Sequence, residues 1–550
     1  MRAWLWTLCL LGGGAAAADL TLVRGGRIIT MDPARPFATG FVYDDSGAIV
    51  AVGDAAALAQ AHPEAKPLDF GAATVVPGLI DAHGHVPGLG VTLGIADLTG
   101  TTSKAAIVER LKAFEGKLAK DQWLLGRGWD QNDWAEKAFP TAADLDAAFP
   151  QRPVWLERID GHAGWANSAA LRRVTRDLGG DWQPDGGRIE RSDGKATGVF
   201  IDTAAELVQA TVPAPTAEQA SQALSAAMAE IARLGLTGVH DAGVSKAQMD
   251  LYRALADAGR MPVRIYAMAD GDGAALEWLC AQGRYRHADG RLRMRAVKLY
   301  ADGALGSRGA ALLAEYSDDP GNTGLLVTSA AALEAAARKA QRCGVQAATH
   351  AIGDRGNRVV LEVYERVLGL DAAATDHRWR IEHAQVVAQV DIPRFARSGI
   401  IASMQPTHAT SDMPWAGQRV GPARIVGAYA WRQFRDAGVR LALGSDFPVE
   451  AVDPLPGLFA ARMRQDAQGM PLDGWFPGER LTAFEALRGF TLDAAYAAFM
   501  ENEVGSLVAG KRADFTVLDR NPLGDEAKDL LAAHVRATYL DGKPVYTAPP

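Results

Sequence analysis

The chain has 550 residues, of which 48% are apolar and 22% charged, and its net charge is −8. This length predicts at least two domains, and the composition is typical of a soluble globular protein. The acidic balance argues against nucleic acid or an anionic membrane surface as the main partner.

The first 18 residues have the pattern of a secretory signal peptide. Arg2 supplies a positive start, an apolar run fills positions 3–11, and small residues follow over 12–18. This pattern predicts cleavage near Ala18 and a periplasmic or secreted protein. An uncleaved anchor is the weaker interpretation, because the apolar run is too short to span a bilayer comfortably.

Cysteine is scarce in this sequence. Cleavage of the signal peptide would remove Cys9 and leave Cys280 and Cys343. Export permits a disulfide, but one pair of cysteines so far apart is a weak signal, so both are expected to be buried thiols.

Both ends of the remaining chain are rich in short strands. Apolar runs such as Leu20–Val23 alternate with turn residues over 19–75. Residues 501–550 show the same pattern, including Ala513–Leu518 and a hairpin turn at Asp541-Gly542. Two β-rich ends around a long α/β middle predict one discontinuous domain built from both termini.

The middle of the chain alternates strands with helical stretches, which predicts a TIM-like (β/α)8 barrel over 76–500. We expect its eight strands at 75–82, 236–240, 262–268, 295–301, 345–350, 378–382, 400–404 and 440–445. The first two strands are too far apart in sequence to be joined by a single helix. An insertion with strands of its own is therefore expected at about 90–230.

Six residues suited to metal binding lie at or near the ends of these strands: His83, His85, Lys298, His350, His383 and Asp446. A closed parallel barrel brings side chains from distant strands to one rim. Imidazole and carboxylate groups are ligands of borderline divalent metals. The set predicts a metal-dependent hydrolase. Asp446 would be both a ligand and the general base, although a helix or turn cap is the alternative role for it.

Lys298 has two interpretations. Alternation along a strand places it on the inward face together with Tyr300 and Asp302, where an unpaired lysine would be costly. It could form a salt bridge, for which Asp302 is a candidate partner. Alternatively it could be carbamylated by CO2 and become an anionic ligand that bridges two metals. The residues alone favour the salt bridge.

The chain resembles the amidohydrolase superfamily, and within it the amidohydrolase family 3 branch that includes N-substituted formamide deformylases. The resemblance extends over nearly the whole chain after the signal peptide. The segments that carry it are Pro77–His85, Ile159–His162, Lys298–Arg308, His350–Arg355, Glu382–Gln385, Met404–His408, Gly444–Val449 and Gly510–Asp514.

This resemblance implies a TIM-like barrel, a β-sandwich from both termini and two divalent ions, with zinc as the default and manganese or iron as alternatives. His83 and His85 would bind the first ion, and His350 and His383 the second. Lys298 would carry a bridging, CO2-derived carbamate. The implied reaction is hydrolysis of a non-peptide C–N bond, in an amide, formamide or cyclic amide, by a metal-bound hydroxide. The substrate would be a small molecule.

Three further residues are candidates for substrate binding. Asp160 and His162 lie in a segment shared with this branch, although a hydrogen-bonded loop pair is an equal alternative. Arg308 follows the fourth strand and could clamp a carboxylate, but a structural ion pair is as good an interpretation. His240 ends the second strand and could orient a metal ligand.

Two other functions remain open from the sequence. A mononuclear deaminase or aminoacylase on the same scaffold would leave Lys298 unmodified. A catalytically silent periplasmic binding protein would have lost turnover, but all six ligand positions are filled, which argues against it. No membrane partner is expected after signal removal, a homodimer is compatible with the sequence, and the substrate stays open because the fold does not choose it.

Overall fold

The computed structural model describes residues 19–120, 122–158, 161, 163–184, 187–369, 372–524 and 526–549, with the side chains of Asn132 and Asp202 excepted. The predicted signal peptide lies outside the described residues. Contacts within the chain divide it into two units. One comprises Met1–Gly84 and Ala229–Pro550, and the other comprises His85–Met228.

A nearly closed sheet of eight parallel strands forms the centre of the first unit. In spatial order its strands are Leu79–Gly84, Leu236–Val244, Arg264–Asp270, Leu292–Tyr300, Gln346–Ala351, Arg380–His383, Ile401–Met404 and Leu441–Leu443. The short strand Tyr285–Arg286 pairs antiparallel with the fourth of them. Each barrel strand overlaps a strand predicted from the sequence, so the TIM-like barrel is confirmed.

Helices connect these strands and cover the sheet. They are Ala217–Arg233 (which begins in the second unit), Lys246–Asp257, Ala274–Gln282, Ala330–Arg342, Asp354–Leu368, Ile392–Ser398, Pro406–Asp412, Ala416–Arg424, Trp431–Asp436, Pro454–Met463, Ala483–Gly489 and Leu492–Ala497. Helix Ala330–Arg342 shows why they form. Ser329 caps its first turn, and its buried residues Leu333, Ala336, Ala337 and Ala340 recur at helical spacing.

The barrel interior is lined largely by small side chains. Ala82, Ala242, Ala296, Ala348 and Ala442 belong to one buried cluster contributed by the first, second, fourth, fifth and last strands. Short side chains leave room for the long polar side chains that the same strands direct inward.

Strands from both ends of the chain form a second sheet in this unit. In spatial order they are Lys543–Thr547, Val535–Leu540, Phe515–Leu518, Thr74–Pro77, Thr21–Ile29, Phe37–Tyr43 and Ile49–Gly53, and Lys66–Asp69 pairs with Thr21–Ile29. The two ends of the chain meet where Phe515–Leu518 pairs antiparallel with Thr74–Pro77. Helix Ala55–Ala61 follows the strand Ile49–Gly53. The arrangement of these strands as a separate sandwich stays a prediction.

The predicted strand 75–82 is two strands. Thr74–Pro77 belongs to the terminal sheet, and Leu79–Gly84 belongs to the barrel. The break falls at Gly78, whose N–H donates to the Asp514 carbonyl at 2.9 Å. A Cβ atom at this position would lie 2.1 Å from Thr237 Oγ1. Only glycine therefore lets the chain pass this close to the second barrel strand.

A buried ion cluster links the barrel to the terminal sheet. Arg264 donates to Asp514 Oδ2 and to Asp541 Oδ1, each over 2.6 Å. Arg291 and Arg512 also bond to Asp541. Arg264 also donates to Asp514 Oδ1 at 2.9 Å, so its contact with Asp514 is bidentate. Burial disfavours the charged guanidinium, but the two carboxylates outweigh it and raise the pKa of Arg264.

Cys280 and Cys343 form a disulfide with a Cα–Cα distance of 4.9 Å. The expectation of two buried thiols was wrong. Cys280 lies in helix Ala274–Gln282, and Cys343 caps the C-terminus of helix Ala330–Arg342. These helices follow the third and fourth barrel strands, so the barrel brings together two cysteines that are distant in sequence.

The second unit contains a six-stranded mixed sheet. Its order is Gly187–Ser192, Lys195–Asp202, Ala163–Ala166, Val154–Arg158, Leu124–Trp129 and Ala96–Asp97. Its helices include Val86–Leu93, Lys104–Glu115, Ala142–Asp146, Ser168–Leu171 and Glu206–Gln209. Trp129, Trp134 and Trp165 pack in one core of this unit. The assignment of this part of the chain as an insertion, at about 90–230, stays a prediction. Across both units, no described helix is long and apolar enough to cross a membrane.

Candidate metal centre

Five of the six predicted ligands belong to the first unit and lie at the C-terminal ends of barrel strands. His83, Lys298 and His350 lie within the last three residues of their strands, and His383 is the last residue of its strand. Asp446 follows the strand Leu441–Leu443. Because parallel strands end on the same side of a barrel, their terminal side chains meet at one rim.

Three of these side chains converge closely enough to hold one ion. His83, His383 and Asp446 each offer a donor atom, and the three atoms lie within 4.8 Å of one another. His83 Nε2 is 3.4 Å from Asp446 Oδ1. The ring of His383 lies 4.9 Å from that of His83 and 4.5 Å from that of His350, measured between centroids. His350 therefore extends the same cluster.

Two of the converging residues have unusual backbone conformations. His383 has φ of 72° and Asp446 has φ of 64°, a region that non-glycine residues rarely adopt. Strain of this kind costs of order 1–3 kcal/mol and persists where surrounding structure enforces it. The fold therefore sacrifices some stability to direct these two side chains inward.

Lys298 is directed into the same cluster. Its Nζ lies 3.2 Å from His83 Nε2, and the side chain is almost fully buried. None of the ion pairs found among the described residues includes Lys298. Asp302, the candidate salt-bridge partner, instead accepts hydrogen bonds from the backbone N–H groups of Ala311, Ile352 and Gly353. Burial lowers the pKa of Lys298.

In His83 and His383, a hydrogen bond at Nδ1 fixes the orientation of the ring, so that the other nitrogen faces the cluster of candidate ligands. Glu382 Oε2 lies 2.5 Å from His83 Nδ1, and Gln405 Oε1 lies 2.9 Å from His383 Nδ1. The Nε2 atoms are left to face the centre, an arrangement typical of metal-binding histidines. Burial lowers the pKa of His83 to about 4, so its ring is neutral.

Asp446 has a second polar neighbour. His408 Nε2 lies 3.3 Å from Asp446 Oδ2, and His408 Nδ1 lies 3.1 Å from Glu450 Oε1. Burial disfavours a charged imidazole, but these two carboxylates outweigh it and raise the pKa of His408 to about 10. The Asp446 carboxylate is thus held between His83 on one side and His408 on the other.

The donor set fits a divalent metal ion. Neutral imidazoles and a carboxylate are the groups that zinc-like ions bind. The Nε2 atom of His350 is buried and has no hydrogen-bond partner among the described residues, and Asp302 Oδ1 is 3.7 Å away. A buried polar atom without a partner is costly, and metal coordination would satisfy it.

The remaining predicted residues are distributed as follows. His85 belongs to the second unit, where it directly precedes helix Val86–Leu93. Asp160 and His162 lie outside the described residues. Arg308 forms a two-point ion pair with Asp318, at 3.1 and 3.0 Å, which is the structural alternative considered for it.

Several residues of the site received no role from the sequence. Glu382, Gln405 and His408 all lie in segments that carry the family resemblance, so the motifs contained a signal for them. Arg380 lies two residues before Glu382, and strand alternation therefore puts both on one face. His240, predicted to orient a ligand, contacts Arg380 Nη1 through Nδ1 at 2.7 Å.

Comparison with known proteins agrees with this geometry. The model of the amidohydrolase family matches residues 69–546. A putative amidohydrolase YtcJ from Bacillus subtilis is 34% identical over 92% of this chain and 96% of its own length. An N-substituted formamide deformylase from Arthrobacter pascens is 32% identical over 95% of this chain and 97% of its own length.

A solved structure adds to these relatives. The crystal structure of an uncharacterized metal-dependent hydrolase from Pyrococcus horikoshii superimposes with a TM-score of 0.76 at 26% identity, over 92% of this chain and 99% of the other. The family match and both sequence relatives extend over most of the chain, and the barrel rim carries the convergent ligands. The chain therefore belongs to the amidohydrolase family and is a metal-dependent hydrolase that acts on carbon–nitrogen bonds.

Proposed function

We propose that the chain is an exported binuclear amidohydrolase that cleaves a non-peptide carbon–nitrogen bond in an amide, a formamide or a cyclic amide. The observation that carries this proposal is the convergence of His83, His383 and Asp446, with donor atoms within 4.8 Å of one another. The Arthrobacter relative is named for its action on N-substituted formamides. Its similarity over nearly the full length makes formamides the first substrates to test.

In this proposal two divalent ions, zinc by default, are bound by histidines. His83 and His85 would hold one ion, and His350 and His383 the other. Lys298, as a carbamate, and Asp446 would complete the ligand set. A single carboxylate balances little of the charge of two divalent ions, so a second anionic ligand is electrostatically favourable. When bound, such ions supply an electrophile for the scissile carbonyl and an acidified water as nucleophile.

The chain's own residues would handle the proton. Asp446 takes a proton from the nucleophile and passes it to the leaving nitrogen as the C–N bond breaks. His408 orients the carboxylate during this transfer because it bonds to Oδ2. The polar groups near His383 that could contact one end of a small substrate are those of Gln385, Gln405, His408 and Tyr429.

Two observations support export. The first 18 residues have the charge, apolar run and small residues of a signal peptide. The Cys280–Cys343 disulfide suits an oxidising compartment, because cytosolic thiols are generally kept reduced. The strands from both termini would form the predicted β-sandwich domain beside the barrel.

A substrate panel tests the proposal. Protein loaded with zinc would be incubated with N-substituted formamides, linear amides and hydantoin-like rings, and the released amine or acid would be measured. We expect turnover of at least one class that a chelator and the variant Asp446→Asn both abolish. Turnover that persists in Asp446→Asn and after chelation would contradict the proposal.

A further inference from the structure

An arginine–glutamate pair is buried in the middle of the barrel, beneath the candidate metal centre. Arg380 and Glu382 are both completely buried. Arg380 Nη2 donates to Glu382 Oε2 at 2.9 Å, to the Ala82 carbonyl at 2.6 Å and to Ser403 Oγ at 2.7 Å. Its Nη1 contacts His240 Nδ1. One guanidinium thus bonds to groups on the first, second, sixth and seventh barrel strands.

Stability alone does not account for this pair. Removing two charges from water costs several kcal/mol for each ion, and a well-packed apolar pair in the same place is often as stable or more so. A charged pair in this position therefore calls for a role beyond packing.

Glu382 connects the pair to a predicted metal ligand. Its Oε2 atom accepts from Arg380 Nη2 and also contacts His83 Nδ1 at 2.5 Å. An ionised carboxylate only accepts hydrogen bonds, so His83 Nδ1 carries the proton and His83 Nε2 carries the lone pair. The Arg380 guanidinium faces both oxygens of this carboxylate, with Nε 2.7 Å from Oε1 and Nη2 2.9 Å from Oε2, so Glu382 is held as the anionic partner of an ion pair.

We propose that Arg380 and Glu382 are positioning residues, which fix the ring orientation and tautomer of His83 so that its Nε2 lone pair is directed at the metal centre. The proposal rests on the proposed function, because it takes His83 as a metal ligand. Loss of such outer partners typically weakens metal affinity about 10–100-fold.

The test compares two double variants that carry the same charge. Arg380→Met with Glu382→Leu removes the ion pair and also the acceptor of His83 Nδ1. Arg380→Met with Glu382→Gln removes the ion pair but keeps an amide oxygen that can accept from Nδ1. Both avoid leaving one buried charge unpaired, which would cost about 3–5 kcal/mol.

Zinc affinity, measured by competition with a chelating dye, is the primary readout. We expect binding about 10–100-fold weaker than wild type in the Leu variant, and recovery of most of that affinity in the Gln variant. The absorption spectrum of the cobalt-loaded protein should change in the Leu variant alone. The melting temperature of each metal-free protein shows whether the variant is still folded. Equal zinc affinity and equal cobalt spectra in all three proteins would overturn the proposal.

A single variant provides a test that does not require the double variants to fold. Glu382→Asp keeps the charge beside Arg380 but shortens the reach toward His83 by one methylene. We expect weaker zinc binding with little change in the melting temperature of the metal-free protein, and unchanged zinc binding would overturn the proposal. A paired substitution of another buried ion pair, Arg264→Met with Asp514→Asn, is the control and should leave zinc affinity unchanged.

Failure of this inference can be told from failure of the proposed function. If wild type binds zinc and the Leu and Asp variants bind it equally well, only the positioning role is wrong. If wild type binds no divalent ion, the proposed function fails, and the positioning role fails with it.

Discussion

Ser445 donates its hydroxyl hydrogen to Asp81 Oδ2 over 2.6 Å. This bond joins the segment that follows the last barrel strand to the first barrel strand. Asp81 Oδ1 also accepts from the backbone N–H groups of Ser445 and His83. The Asp446 N–H donates to the His83 carbonyl at 2.7 Å. A Cβ atom on Gly444 would lie 2.4 Å from Asp81 Oδ1. The seam that closes the barrel therefore also holds two candidate metal ligands.

Ser445→Ala tests this seam. The substitution removes the hydroxyl donor from a buried carboxylate, so we expect a loss of about 1–3 kcal/mol in the free energy of unfolding and weaker zinc binding. Urea denaturation and chelator competition measure the two effects. Ser245→Ala, which removes a helix N-cap, is the matched control and should cost about 1 kcal/mol without changing zinc binding. Unchanged zinc affinity in Ser445→Ala would contradict a role of the seam in the site.

Asp446→Asn tests the proposed base. An amide cannot accept the proton, so we expect turnover to fall by at least about 10²–10⁴-fold, the usual contribution of a general base. The shape of the side chain is kept, and the far-ultraviolet circular dichroism spectrum should be unchanged. Activity equal to wild type would rule out Asp446 as the base.

Lys298→Ala tests the carbamate. Without the amine no carbamate can form, so we expect the variant to lose metal and activity. Short carboxylic acids such as formate or propionate would partly restore both, because a carboxylate can occupy the space of the missing ligand. Metal content by mass spectrometry and turnover with and without the acid provide the readout. A variant that keeps its full complement of metal would show that Lys298 is not a ligand.

Replacing both Cys280 and Cys343 with serine tests the disulfide. The bridge closes a long loop, and its loss should lower the free energy of unfolding by about 2–4 kcal/mol. Urea denaturation of wild type with and without a reductant should show the same difference, whereas the double-serine variant should not respond to reductant. Metal content should stay the same, because the bridge joins helices and does not contact the site. If wild type were equally stable with and without reductant, the predicted stabilisation by the disulfide would be contradicted.

The strands of the barrel were the most predictable part of the fold. Each is a short apolar run with turn residues or a helix after it, and a ligand residue marks the end of several. The boundary at Gly78 was not predictable in the same way, because Thr74–Pro77 and Leu79–Gly84 form one apolar run in sequence. The two strands separate at Gly78, which passes Thr237 too closely for a side chain.

Contacts between distant charged or sulfur-containing residues were the least predictable. The sequence contains no sign that Arg380 and Glu382 are buried, since charged residues are seldom fully buried without partners. Their partners Ala82, His240 and Ser403 come from three other strands. Cys280 and Cys343 likewise became neighbours only once their two helices packed on adjacent barrel strands.

The number of metal ions bound per chain tests the central claim most directly. It is measured by elemental mass spectrometry on protein purified without chelators, and again after reloading with zinc. We expect close to two ions per chain, held by the four histidines, Lys298 and Asp446. A value close to one would favour the mononuclear alternative with an unmodified Lys298, and no bound metal even after reloading would contradict the account.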